Sequence, residues 1–391
     1  MHALFLISLV LPLVSAAPAR RATPAPLLKP RDGTIIENKY IVKLTDSIKA
    51  AGVDEALNLF KADADHVYDA EGFKGFSGHL ESDELTALLN HPDVEFIEHD
   101  AEVTTQAYTT QTGATWGITR ISHKSRTATG YTYDTSAGEG TCSYIIDTGI
   151  YTTHSDFGGR ATFLANYASD STTGDGNGHG THVAGTVGST TYGVAKKTKL
   201  YAVRVLNASG SGTNSGVIAG MNFVATDSQT RSCPAGSVAN MSLGGGYSAA
   251  VNDAATALVN AGVFLAVAAG NSAANAANYS PASAAAACTV GATTSTDAIA
   301  SYSNYGALVD IFAPGSSITS TWNNGGTNSI SGTSMASPHV AGLGAYLLAL
   351  EGPRTPAALC TRIKALAQTG VLSGIPSSTV NQLAFNGNPS D

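Results

Sequence analysis

Charge is scarce in this chain: Asp, Glu, Lys and Arg together make up 13% of 391 residues. Lys/Arg clusters are missing from its main part, so nucleic acid and anionic lipid find no electrostatic footprint and both are excluded as partners. Long apolar runs are missing as well. Ala3–Val14 is apolar for about a dozen residues and broken by Pro12, short of the roughly 20 that a membrane span needs. There are four cysteines with no CxxC spacing, which argues against zinc. No internal repeat is present.

What is there suits a globular protein. The 43% apolar content, with 42 Gly and 14 Pro, provides for a sizeable core and excludes collagen-like, disordered and small disulfide-scaffold classes. The length suggests two or three units. The formal charge of −8 shows where to divide them: residues 17–106 hold 9 Lys+Arg against 17 Asp+Glu, and residues 107–391 hold 12 of each. The whole imbalance therefore sits in the first quarter of the chain.

The apolar run followed by Val14-Ser15-Ala16 reads as a secretory signal peptide over residues 1–16, although it lacks a basic start; a short membrane anchor is the alternative. In a secreted chain, Cys142, Cys233, Cys288 and Cys360 are expected to form disulfides, with three connectivities open. Each long loop so closed is worth about 4–5 kcal/mol at most. Sequons at Asn207, Asn240 and Asn278 are glycan candidates, although Asn240, at the end of an apolar stretch, reads as buried rather than modified.

Ala17–Arg31 has the composition of a linker. After it, Tyr40–Leu44, Phe76–Leu80 and Val94–Glu98 alternate as strands. Ala50–Ala64 and Ser82–Leu89 have helical spacing, the second with Ser82 as cap. This is a small α+β domain of about 70 residues without a catalytic constellation. His66, His79, His91 and His99 lie among its acidic groups. They read as solvated surface histidines, with release in mild acid as the alternative.

From Ala107 the pattern changes. Ser143–Asp147, Lys199–Leu206, Val238–Leu243, Val263–Ala269 and Cys288–Ala292 are buried parallel strands by pattern. They alternate with helices such as His179–Thr186, Ser215–Asp227 and Ala249–Ala261. The fold class is α/β: a doubly wound, mostly parallel sheet with helices on both faces and its site at strand carboxyl ends.

Four residues stand where chemistry is done. Asp147 ends a strand; alone it reads as a turn cap. His179, in DGNGHGTHVAGT, opens a helix after a turn at Asp175–Gly178, and His182 packs inside that helix. An HxxH zinc pair lacks both the glutamate and a nearby cysteine. Ser334, in SGTSMASPHVAG, stands where the helix over Val340–Leu350 must begin, with Pro338 in or just beyond its first turn. A helix start offers N–H groups to a developing oxyanion, although a plain N-cap is the bland alternative. Asn271, in VAAGNS, offers an amide donor at a strand end. Ser337 and His339 read as local structure. Each of the four has an ordinary explanation alone; together, on one α/β domain, they do not.

These segments, with SLGGG from Ser242 and SPAS from Ser280, resemble the subtilisin-like serine proteases, and more narrowly the secreted proteinase K-like fungal group. The order Asp, His, Asn, Ser is that of subtilisin. The resemblance implies a Ser334 nucleophile, a His179 base oriented by Asp147, and an oxyanion hole of Asn271 and the Ser334 N–H. It implies substrate-binding edges at Gly210, Ser211, Gly212 and at Ser242, Leu243, Gly244, with Ala268, Ala269 and Gly270 beside them. No acid lies in the two strand-like edges, so broad cleavage after apolar or bulky residues is expected, with a selective processing protease as the alternative. Thr213-Asn214 stands where relatives often have an aromatic.

The resemblance further implies the pairings Cys142–Cys233 and Cys288–Cys360. It implies no catalytic cofactor, and a structural calcium on Asp310 with the carbonyls near Ala285 and Ala287. The acid of a second calcium site is replaced by Val371, and the family's free cysteine by Val183. Residues 17–106 resemble an inhibitory propeptide that templates folding and occupies the cleft. The whole is expected to be a secreted, monomeric zymogen of an endopeptidase acting on proteins and peptides, for extracellular nutrition or host cuticle. A catalytically dead, binding member of the same fold would be expected to have lost one of the four residues.

Overall fold

The computed structural model describes residues 23–30, 35–46, 48, 56–57, 64–102 and 107–391. The signal peptide expected at 1–16 lies outside the described residues, as does Gln106 at the 106/107 junction. So does most of the helix expected over Ala50–Ala64, of which Ala56 and Leu57 are helical. The chain divides into two compact units, 1–105 and 106–391.

The first unit is a five-stranded sheet in the order Leu27–Leu28, Val94–Ala101, Ile35–Leu44, Phe73–His79, His66–Ala70. Val42, Leu44, Phe76, Val94 and Ile97 alternate onto one buried face with Leu88 of the helix Ser82–Leu89. That helix is capped by Glu81, not Ser82: the Glu84 carboxylate accepts the Glu81 N–H at 2.8 Å, closing a capping box. The edge strand His66–Ala70 was not expected; its largely exposed residues carry little apolar alternation, and it pairs only with Phe73–His79. His66 and His79 are at the surface as expected. His91 is not: it is buried, and its Nδ1 accepts the Asp93 N–H.

The second unit is built on nine strands, in the order Gln368–Thr369, Gln382–Leu383, Ile311–Pro314, Cys288–Thr293, Phe264–Ala268, Gly236–Met241, Thr141–Asp147, Lys199–Arg204, Ala161–Asn166. Every pair is parallel except the first. Alternate residues of one strand feed two cores. Ile145 joins the side chains of the helices His179–Gly188 and Thr333–Glu351, while Tyr144 and Ile146 join those of Asn214–Thr230 and Ala249–Asn260. That alternation gives a sheet with helices on both faces. The strands Ala161–Asn166 and Ile311–Pro314 went unpredicted: the first is a half-buried edge, and the second is only four residues long and ends in proline. Disulfides join Cys142 to Cys233 and Cys288 to Cys360.

The Ser334 helix begins within one residue of the serine, as expected. It spans Thr333–Glu351 with Gly332 as N-cap, so Pro338 lies just beyond the first turn. The cost of a proline there is one missing bond, to the carbonyl four residues back. That carbonyl belongs to Ser334, and the Ser242 hydroxyl donates to it instead, at 2.7 Å.

Candidate active site

Asp147 ends the strand Thr141–Asp147 and is fully buried. Its Oδ1 accepts the Thr148 N–H at 2.7 Å and faces His179 Nδ1 at 2.8 Å. A carboxylate only accepts, so Nδ1 carries the imidazole proton and Nε2 is left as the basic nitrogen. Burial of the His179 ring disfavours its charge, but the Asp147 carboxylate, by charge and hydrogen bond, outweighs this and the net shift is upward from 6.5. At 24% exposure the ring remains open to a substrate.

Two devices that sequence reasoning missed hold His179 in place. The Asp175 carboxylate caps the helix His179–Gly188 from outside it. One of its oxygens accepts from Thr148 Oγ1 and the N–H groups of Asn177 and Gly178, the other from Thr181 N and Oγ1. An anion there also suits the helix dipole. The hairpin Ile318–Thr321/Thr327–Ile330 grips the same helix. His182 Nε2 donates to the Ile318 carbonyl (2.9 Å), and Ser320 and Thr321 donate to the carbonyls of His182 and Thr181 (2.8 Å each). Past the first strand, Trp322 packs on Gly178, whose φ of +109° and close ring contact leave no room for a Cβ. The acid signal was legible in principle as a carboxylate in the turn before a helix; the hairpin grip had no local signal.

Ser334 lies in the first turn of its helix and is partly exposed. In this structure its hydroxyl donates to the Ser242 carbonyl at 3.2 Å. Asn271 is exposed at the end of the strand Phe264–Ala268, and its Oδ1 accepts both the N–H and the hydroxyl of Thr333 (2.8 and 2.9 Å). With the oxygen committed, the amide N–H₂ is the end left to donate. Buried Asn304, also missed, braces that loop. Its Oδ1 accepts the N–H groups of Ser272 and Ala274, and its Nδ2 donates to the Ala269 carbonyl.

A cleft of about 450 Å³ borders His179, with Gly210, Ser211 and Gly212 along one edge and Ser242, Leu243 and Gly244 along the other. Leu206, Val217, Leu243 and Val251 supply its apolar lining, Thr213 and Asn214 also reach it, and no carboxylate does. Ala268, Ala269 and Gly270 are not in its lining; the first two are buried at the strand end.

Of the three sequons, Asn240 is buried, as its place at the end of an apolar stretch suggested: it donates to Ser242 Oγ and accepts from Ser337 Oγ, which closes it to a glycan. Asn207 is partly exposed and Asn278 exposed. The calcium expected at Asp310, Ala285 and Ala287 does not fit the donor set. Asp310 accepts Lys364 Nζ on one oxygen and the Thr289 N–H on the other. The metal-capable atoms grouped with it, those of Cys288 and Cys360, are tied in a disulfide.

A family model described as Subtilase family matches residues 138–380. The chain belongs to the subtilase family. A second model, Peptidase inhibitor I9, matches residues 39–106 of this subtilase. The subtilase is 61% identical over 388 residues to the subtilisin-like serine protease AsES of Sarocladium strictum, covering 99% of each chain. It is 58% identical over 390 residues to a cuticle-degrading protease of Metarhizium anisopliae, covering 99% of this chain and 100% of the relative. A crystal structure of a cold-adapted subtilisin-like serine proteinase aligns with a TM-score of 0.66 and 46% identity, over 70% of this chain and 98% of that one. The protein is thus a subtilisin-like serine protease with an inhibitor-type propeptide domain. Among its described residues, no helix is long and apolar enough to cross a membrane.

Proposed function

We propose that this subtilase is a secreted endopeptidase whose catalytic groups are Asp147, His179, Ser334 and Asn271. The observation that carries the assignment is the 2.8 Å contact of His179 Nδ1 with the buried Asp147 carboxylate, which leaves Nε2 basic. A substrate strand laid along Ser242–Gly244 competes for the Ser242 carbonyl, freeing the Ser334 hydroxyl to turn to His179. Nε2 takes the hydroxyl proton as Oγ bonds to the peptide carbonyl carbon, and the negative oxygen is met by the Asn271 amide and the Ser334 N–H. The C–N bond then breaks, with the amine leaving on the proton held by His179. Water repeats the sequence and releases the acid.

The apolar, carboxylate-free cleft supports broad cleavage after apolar or bulky residues. Residues 17–106 act as inhibitor and folding template, removed at 106/107, and 107–391 is the working enzyme. Extracellular proteins, including those of a host cuticle, are the substrate class, by analogy with the Metarhizium relative's name. Asn207 and Asn278 are the sequons open to glycosylation.

Intact mass after phenylmethylsulfonyl fluoride treatment tests the reading, with Ser334→Ala alongside. One sulfonyl adduct on a species starting near Ala107, absent from the variant, is the expected result. A folded, matured protein that takes no adduct would overturn it and favour a binding role.

A further inference from the structure

Asp310 stands just before the strand Ile311–Pro314 and is closed onto its neighbour strand by two bonds. The Asp310 N–H donates to the Thr289 carbonyl (2.9 Å), and the Thr289 N–H donates to Asp310 Oδ2 (3.0 Å). The carboxylate's direction is therefore set by backbone. Lys364 comes to it from the helix Pro356–Leu366, one turn beyond Cys360. Cys360 is bonded to Cys288, the residue before Thr289, so one disulfide anchors the lysine's helix beside the strand that orients the carboxylate. The ammonium and Asp310 Oδ1 meet at 2.9 Å.

Calcium needs six to eight oxygen ligands, drawn from carboxylates, carbonyls and water. Here a single carboxylate has both oxygens in use, its grouped sulfurs are bonded to each other, and the remaining expected donors are neutral carbonyls. A divalent ion at this spot would also have to face the Lys364 ammonium, a like charge.

We infer that Lys364 is a built-in cation standing in for calcium at Asp310, so that this corner of the fold needs no divalent ion. The two side chains are 36% and 27% exposed, so solvent screens their attraction; what the pair decides is whether the Asp310 carboxylate is left without a cation.

Thermal unfolding of the sulfonylated protein, in millimolar calcium and in EDTA, is the test. The expected midpoints agree within about 1 °C for the natural chain. Lys364→Met is expected to melt several degrees lower in EDTA and to regain the loss in calcium, a gain that a further Asp310→Asn removes. A natural protein that loses several degrees in EDTA, with the dependence abolished by Asp310→Asn, would overturn the inference. So would a Lys364→Met protein that melts like the natural one in both buffers. Should Lys364→Met fail to fold, the comparison of natural and Asp310→Asn chains still decides.

Discussion

The Ser242 hydroxyl donates to the Ser334 carbonyl at 2.7 Å, filling the bond that Pro338 cannot make in the helix that carries Ser334. Ser242 Oγ also accepts from buried Asn240, whose Oδ1 accepts from Ser337 in the same helix. The cleft edge and the start of the Ser334 helix are therefore fixed to each other by one polar network. Ser242→Ala leaves two buried partners unmet, and a loss of about 1–3 kcal/mol is expected from urea unfolding. An unchanged midpoint would mean the network carries no load.

Asp147→Asn is expected to lower kcat about 10,000-fold, because an amide can hold the wrong imidazole tautomer. The pH profile of the residual kcat/KM supplies a second reading. The base works only when neutral, so activity falls as pH drops through the His179 pKa, which Asp147 raises above 6.5. In the variant the attraction is gone and burial remains, so the acid limb should move to lower pH. A limb that stays in place would separate it from His179.

Trp322 is a positioning residue for His179 through Gly178. Trp322→Ala is expected to reduce kcat roughly tenfold or more with a smaller change in KM, since misplacing the base harms chemistry more than binding. Trp322→Phe should recover most of it, and its acid limb should match the natural protein. Equal kcat in the alanine variant would show that the hairpin hydrogen bonds suffice.

Buried His182 and His339 are both pushed down to about 4, by loss of water around the charged ring and despite hydrogen bonds to the Ile318 and Met335 carbonyls. Unfolding returns each to about 6.5, so between those values the unfolded chain binds more protons. Stability is therefore full above pH 6.5 and is lost as pH falls toward 4, by on the order of 3 kcal/mol per ring. Urea midpoints measured across that window should fall with acid, and His182→Gln should flatten part of the slope. A flat profile in the natural protein would refute this.

Local pattern made much of this protein legible. Strand-then-helix alternation announced the doubly wound sheet, because buried parallel strands need continuous apolar runs. Asp147, His179, Asn271 and Ser334 stood out because each sits at a strand end or helix start that its own neighbours define. Edges were harder: Ala161–Asn166 and His66–Ala70 are strands because a neighbour supplies hydrogen bonds, not because their residues insist on it. The start of the Ser334 helix was legible locally, but the bond that replaces the one Pro338 cannot make was not, because Ser242 is distant in the chain.

By itself the sequence determined the family, the alternation of strands and helices and the four candidate side chains, since these follow from short segments and the spacing of apolar residues. Tertiary structure alone decided which end of the Asn271 amide is available, how Asp175 and Trp322 hold the histidine, and that Lys364 reaches Asp310. Each of those depends on a partner brought close by the sheet and its helices. Hydrogen-bond direction, burial and charge pairing act over a few ångströms of space, whatever the distance along the chain.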